Sequence, residues 1–416
     1  MKDSVGAADG AKARRTPHGR QAVAFITVIS LLNSIAAMMI LPVLPTLVKG
    51  FTGETSGAAL YIGAFAASFG LIQFFASPVL GSLSDAYGRR TVILISAAGM
   101  ALDYLFMALA PSVGWLFVGR MIAGLTASSG PAVNAYIADV IPPEERAGVF
   151  GWTGAAFAVG FLLGPALGGV LGVVDPRLPF WASAAIGVAV ALYGFFILPE
   201  SLPAERRTPF NVRRANPLGS FRFLAERPQI LGLVIVLTMM FIASQCLPTT
   251  LPLFTANRFG WSTAIVGSYL TYAGVGHMVV QALVVKRVVA RFGERIAAVT
   301  GYVSTAIGFL IYATAPVGVL FPIGMPFYAL AGLVGPSVQS QLTRSVEPTE
   351  QGRLQGAVAG VSSLIGVGAA LMFPSIFAFA AGPGKGIVPI GLHIYVAAAI
   401  LLIGAVLAFR IMRPKT

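Results

Sequence analysis

Three ionisable side chains stand deep inside apolar runs: Asp103 in MALDYLFMAL, Arg120 in VGRMIAGL and His277 in GVGHMVVQA. A charge in hydrocarbon costs at least about 2.5 kcal/mol, so such groups persist where they pair, bind or carry something. Asp103 lies nine residues before the turn near Ser112 and Arg120 eight after it. At about 1.5 Å per residue the two reach similar depths on neighbouring antiparallel helices. Two chemistries are open to them. One is a buried ion pair that holds the hairpin together. The other is a proton taken up and released by Asp103, its affinity set by burial and by the distance to Arg120. Both hold if the pair breaks in one conformation. His277 is open to a neutral hydrogen bond with a neighbouring helix or to a ligand or proton role. Gln281, one turn on, shares its face. Asn33, Gln73, Asn134, Gln245, Gln339 and Gln341 are uncharged polar residues in other apolar runs. Singly they suit interhelical hydrogen bonds; together they imply a wet central cleft.

A second constellation is polar and short. GSLSDAYGRR, Gly81 to Arg90, carries Asp85, Arg89 and Arg90 between two apolar runs, and Gly81 and Gly88 suit a tight reversal there. Asp139 ends the fourth run on the same side. Ordinary surface pairing of these charges is worth about 0–1 kcal/mol. The reading favoured here is a gate, in which Asp85, Arg89 and Asp139 pair across a seam in one state and part in another. No nucleophile–base pair and no cluster of metal ligands is found, so neither an enzyme nor a cofactor or metal is expected. Cys246 is the only cysteine, which excludes a disulfide within the chain.

Elements that could position such groups follow from composition. Apolar residues are 56% of 416, charged residues 10%, and mean hydropathy is +0.83, values that place the chain in a lipid bilayer. Twelve apolar runs are long enough to cross about 30 Å of hydrocarbon: 22–48, 58–80, 91–110, 114–138, 148–173, 179–198, 229–253, 263–285, 296–314, 316–342, 353–381 and 389–410. The first is too long for a cleavable signal. Residues 1–21 read as a disordered tail and 411–416 as a short one. The arginine-rich stretch 199–228 reads as a linker between six-helix halves at 22–198 and 229–410, with a short interfacial helix near Leu218 to Leu224. Twenty-three of the 28 Lys and Arg residues fall on one face, and only Lys49, Arg177, Arg258 and Lys385 on the other. The positive-inside rule makes that face, with both termini, cytoplasmic. The net charge of +13 is therefore topology and not a nucleic-acid footprint.

The halves are related. An offset of 205 residues superimposes Gly88 on Gly293, Pro111 on Pro316, Gly130 and Pro131 on Gly335 and Pro336, Glu145 on Glu350, and Gly151 on Gly356. Parallel repeats with a midplane site at their seam are a transporter architecture. Asp85 falls on Ala290 and Arg89 on Glu294, so the second copy of the polar loop reads as degenerate.

GSLSDAYGRR resembles the loop between helices two and three of the major facilitator superfamily, G-x-L-x-D-r-x-G-r-r/k, departing at Ala86. GFLLGPALGG, with Gly160, Gly164, Pro165, Gly168 and Gly169, resembles the family's antiporter signature, and equally suits small-residue helix packing. Arg120 with Gly124 resembles its helix-four motif, which implies a part in proton coupling. PVLPTL at 42–47, LDYL at 102–105, FGWTGA at 150–155 and FTANRFGW at 254–261 resemble the twelve-helix tetracycline/proton antiporters. The resemblance implies an all-α membrane fold of two pseudo-symmetric six-helix bundles, monomeric, in a bacterial-type inner membrane. It implies proton-coupled export of a small amphipathic compound, with Asp103 as the essential carboxyl, His277 as the helix-eight histidine and Gln281 near the drug path. Asn33, Gln73, His277 and Gln281 form the expected substrate surface. Asn33 and Ser304 stand where those antiporters carry aspartates, which removes the negative charges that a cationic metal–tetracycline complex calls for. The rivals are a nutrient facilitator or proton symporter and a non-transporting receptor or scaffold of the same fold.

Overall fold

The computed structural model describes residues 17–127, 130–210, 224, 226–347 and 350–414. The backbone is helical nearly throughout, as it must be where no water satisfies its polar groups. The first half comprises α1 (Pro17–Met39), α2 (Leu44–Thr52), α3 (Thr55–Tyr87), α4 (Arg89–Leu109), α5 (Val113–Thr126), α6 (Gly130–Val140), α7 (Pro143–Val174) and α8 (Leu178–Ile197). The second comprises α9 (Pro228–Ser244), α10 (Cys246–Phe259), α11 (Thr263–Val279), α12 (Val285–Thr314), α13 (Met325–Ala329), α14 (Val334–Arg344), α15 (Gln351–Ala381) and α16 (Leu392–Ile411).

Among the described residues these make twelve passes in two six-helix bundles. The helical run Thr263–Thr314 is 52 residues long. As one helix it would reach about 78 Å, more than twice a bilayer core. Gly293, at φ 80° and ψ 168°, breaks it into passes eight and nine. α5 and α6 together form pass four, on either side of the undescribed 128–129. Lipid-facing positions carry large apolar groups, Trp152, Phe196 and Phe409 among them.

Several predicted boundaries move. α1 starts at Pro17, inside the expected tail, and the expected helix at Leu218 to Leu224 falls outside the described residues apart from Leu224. The first pass is interrupted over 40–43, where Pro42 withholds an N–H. The tenth is not one helix: Gly318–Gly324 and Leu330–Leu333 are 3₁₀ turns around the five-residue α13. The expected polar loop from Gly81 is helix as far as Tyr87. The Ser84 hydroxyl donates to Gly81 O at 2.7 Å within that helix, and only Gly88, at φ 100°, makes the reversal.

The bundles meet along α3 with α15 and α7 with α11. These pairs are tightest at the end carrying loops 53–54, 175–177, 260–262 and 382–391, here the loop end. A Cβ on Gly63 would stand 2.9 Å from Ala370 O, and one on Gly267 2.4 Å from Pro165 O. Thr271 Oγ1 donates to Leu162 O across the seam at 3.1 Å. Glycine at these positions lets two backbones touch, and the seam is sealed at the loop end. The opposite, turn end carries Gly88.

Candidate functional site

α4 and α5 form an antiparallel hairpin turning at 110–112, and its geometry brings Asp103 and Arg120 together. Arg120 Nη2 donates to Asp103 Oδ2 and also lies 3.1 Å from Met107 Sδ. The Asp103 side chain is 0% exposed and that of Arg120 17%. Gly119 permits the approach, since a Cβ there would stand 3.0 Å from Asp103 Oδ1. The guanidinium also faces the Phe69 ring of α3, 6.0 Å from its centre. The pairing is single-pronged: Asp103 Oδ1 and Arg120 Nε are buried without a hydrogen-bond partner. An unsatisfied buried acceptor costs about 1–3 kcal/mol, and a proton on it turns it into a donor. A carboxyl with one oxygen committed and the other unpartnered can accept or release a proton without first breaking its bond to arginine.

His277 and Gln281 share a cavity of about 320 Å³ in the second bundle with Ser244, Thr305 and Tyr328. The Tyr328 ring meets His277 edge-on, 4.9 Å between centres. A π-helical turn, Val280–Val284, carries Gln281. Such insertions in a helix are frequent at functional positions. Ser244, Thr305 and Tyr328 escaped sequence reasoning; their signal is polarity inside apolar spans, which many packing residues share. Asn33 lines a separate cavity of about 50 Å³ in the first bundle, near Ser96, whose hydroxyl is buried without a partner. Gln73, half-buried on α3, lines neither. The four residues expected on one surface are thus divided between the bundles.

At the turn end of the first bundle Arg89 gathers the expected charges. Its Nη1 donates to Asp85 Oδ1 and, at 2.7 Å, to Ser84 Oγ; its Nε donates to Asp139 Oδ2 at 3.3 Å. Arg90 donates to Phe195 O at 2.6 Å. In this conformation the cluster ties passes two, three and four to one another inside one bundle. Sequence reading missed Glu200, because the linker looked like a spacer. Its carboxylate accepts the Arg89 N–H at 2.9 Å, Ser201 N–H at 3.0 Å and Leu202 N–H at 3.1 Å. The Ser201 hydroxyl donates to Asp139 at 3.0 Å. At the other end of the linker Arg227 forks onto Glu350 at 2.6 and 2.5 Å, and this hydrogen bonding raises the Arg227 pKa further.

The second copy of this loop is not degenerate. Glu294, in register with Arg89, pairs with Arg344, in register with Asp139, and accepts from Ser340 Oγ at 2.5 Å. The ion pair is kept and its polarity reversed.

The α7 glycines serve two interfaces. A Cβ on Gly160 would lie 2.3 Å from Ser34 Cβ, one on Gly164 2.5 Å from Met38 Cβ and one on Gly168 1.9 Å from Met39 O, all on α1. Pro165 and Gly169 face α11 across the seam, a Cβ on Gly169 falling 2.8 Å from Thr263 O. Close packing is therefore one use of the motif, and it includes the junction between the bundles. Among the described residues no group of three or more His, Cys, Asp or Glu could hold a metal.

Residues 26–371 match the family model of the Major Facilitator Superfamily. The chain belongs to that superfamily. It is 36% identical over 357 residues to the class C tetracycline resistance protein of Escherichia coli, covering 86% of this chain and 89% of that one. To the class H tetracycline resistance protein of Pasteurella multocida it is 32% identical over 402 residues, 95% and 98% of the two chains. The solved structure of the human organic anion transporter MFSD10 superimposes with a TM-score of 0.68 at 23% identity, over 94% of this chain and 100% of that one. This member of the superfamily is a multi-pass membrane transporter and not an enzyme.

Proposed function

We propose that the protein is a proton-coupled antiporter exporting a small amphipathic, drug-like compound from a bacterial cytoplasm across the inner membrane. The observation that carries this reading is the Asp103 carboxyl, sealed from water, singly bonded to Arg120 and with Oδ1 unpartnered. Such a group is suited to exchanging a proton as the bundles rock about their shared cleft. The tetracycline resistance proteins it resembles support a drug as the cargo. The His277 cavity is lined by neutral polar and aromatic groups, with Ser304 next to Thr305 and no carboxylate in the lining, which favours a compound without a bound cation. Asp85, Arg89 and Asp139 then act as the cytoplasmic gate, the basic turn end and both termini facing the cytoplasm.

The test is counterflow in proteoliposomes carrying a pH gradient, with tetracycline and a panel of neutral amphipathic drugs as cargo. The wild-type protein is expected to dissipate the gradient when its cargo is added. Asp103→Asn is expected to bind cargo and exchange it without moving protons. Gradient-coupled transport at wild-type rates in Asp103→Asn overturns the assignment. Accumulation with the proton gradient instead of against it favours the symporter.

A further inference from the structure

A further cavity belongs to neither of these sites. It has a volume of about 950 Å³ and lies at the turn end of the second bundle, between α9, α12, α14 and the end of α16. Gln229, Glu294, Gln341, Arg344 and Arg413 supply its polar wall. We propose that it binds a phosphate-class oxyanion, presented by a phospholipid headgroup or free in the cytoplasm.

The first bundle shows what this position in the fold accepts. There, the space beside Gly88 is filled by the chain itself. Glu200, three residues past α8, places its carboxylate on the Arg89 N–H at 2.9 Å. A Cβ on Gly88 would stand 2.2 Å from Glu200 Oε2. Leu198 and Leu202 are buried around it. The turn in the second bundle has the same form: Gly293 at φ 80° and ψ 168° repeats Gly88 at φ 100° and ψ 150°. Its charges are opposite. Glu294 replaces Arg89 and Arg344 replaces Asp139, and Arg413, two residues past α16, lies at the same end of its bundle as Glu200, three residues past α8. Where one bundle supplies the acid from its own linker, the other supplies arginines around open volume; among the described residues lining it Glu294 is the only acid, and an acidic ligand fits beside the arginines.

The arginines are placed for that. Arg344 binds Glu294 through Nη2 and donates from Nε to Ser340 O at 3.3 Å, yet its side chain is 67% exposed. Arg413 is anchored by its backbone, its N–H donating to Gln341 Oε1 and its carbonyl accepting from Gln341 Nε2, both at 3.1 Å. Its guanidinium reaches Gln229 Oε1 at 3.5 Å and leaves further donors to turn inward. Glu294 cancels one of the two guanidinium charges, so the wall keeps one net positive charge. Planar, forked donors match phosphate oxygens. The volume suits a headgroup better than a bare ion. On the same helix as Glu294, Arg295 lies 3.9 Å over the ring of Phe409 and Arg291 5.4 Å over Phe292. Both rings are exposed, which marks the lipid–water boundary. Basic pockets between helices at that boundary are known headgroup sites.

The test uses the full-length protein in two arms. In detergent, thermal unfolding is followed during titration with inorganic phosphate, against chloride at equal ionic strength. In nanodiscs, unfolding is compared between pure phosphatidylcholine and the same lipid with one-fifth phosphatidylglycerol. A site that binds only the folded state raises the midpoint, and a shift of about 2–4 °C is expected in at least one arm. The responding arm identifies the source of the phosphate. Arg413→Gln, which breaks no ion pair, and Arg344→Gln are each expected to remove at least half of the shift. Arg206→Gln, the same charge loss in the exposed linker, is expected to keep it. No shift in either arm, a shift that survives both variants, or equal loss in Arg206→Gln overturns the proposal.

Discussion

Gly267→Ala is the sharpest probe of how the bundles move. Gly267 sits on α11 where it crosses α7, and a methyl there would stand 2.4 Å from Pro165 O and 3.0 Å from Gly169 Cα, against an ordinary contact of 3.4 Å or more. The obstruction is backbone on both counts, so no rotamer change relieves it; α7 must recede by about 1 Å or the seam must open. Overpacking of this kind costs about 1–3 kcal/mol, and the cost falls only on arrangements in which the loop end is closed. With the loop end open, alanine is the better helix residue by about 1 kcal/mol. The equilibrium is therefore expected to move toward the loop-open form by about 5- to 150-fold, one decade per 1.4 kcal/mol. Spin labels at Asp175→Cys and Lys385→Cys, in a Cys246→Ser background, report it as a longer distance population across the loop end. Gly168→Ala is the matched control. Its methyl would stand 1.9 Å from Met39 O, but within the first bundle, so both conformations suffer and only the melting temperature is expected to fall. If Gly267→Ala folds, melts like its parent and leaves the distance distribution unchanged, the seam is not a moving part.

Gly88→Ala combines a backbone region open almost only to glycine with displacement of the Glu200 carboxylate, and is expected to lose about 2 kcal/mol or more of stability, read by thermal unfolding. Arg120→Leu leaves the buried Asp103 charge without its partner and is expected to cost about 3–5 kcal/mol, with Arg120→Leu/Asp103→Leu recovering most of it. If the single variant melts as late as the double, the pair is not held as a charge pair. Exchanging Glu294 and Arg344 for one another is expected to stay within about 1 kcal/mol of the parent, given the exposure of Arg344, whereas either half of the exchange alone puts like charges together and transports more slowly.

What was legible in the sequence followed from local geometry. Asp103 and Arg120 could be paired from residue counts alone because they flank one short turn, where depth is distance along a helix. His277 and Gln281 share a face at i and i+4 whatever surrounds them. The twelve passes follow from run length, even where Thr263–Thr314 forms one helical run, because the charged residues of 286–295 separate two membrane-length apolar runs. Glu200 was invisible because its importance comes from where a flexible-looking linker returns to a turn 111 residues earlier. The division of Asn33 and His277 between separate cavities depends on helix rotation, which no periodicity fixes when all sides of a helix are apolar.

The reversed charges of the repeat bring these strands together. Matching by residue type across the 205-residue offset scores Arg89 against Glu294 as a loss, yet the physical unit is the pair, and Arg89–Asp139 against Glu294–Arg344 is conserved in form with its signs exchanged. Two bundles that rock against each other with like-charged turn ends would repel on every closing stroke. Here each turn end buffers its charge within its own bundle, Arg89 among Asp85, Asp139 and Glu200 and Glu294 with Arg344, which moderates that repulsion on the basic face they share. The same inversion fits Glu200 filling its niche in the first bundle while, among the described residues, the cavity in the second is lined by Arg344 and Arg413.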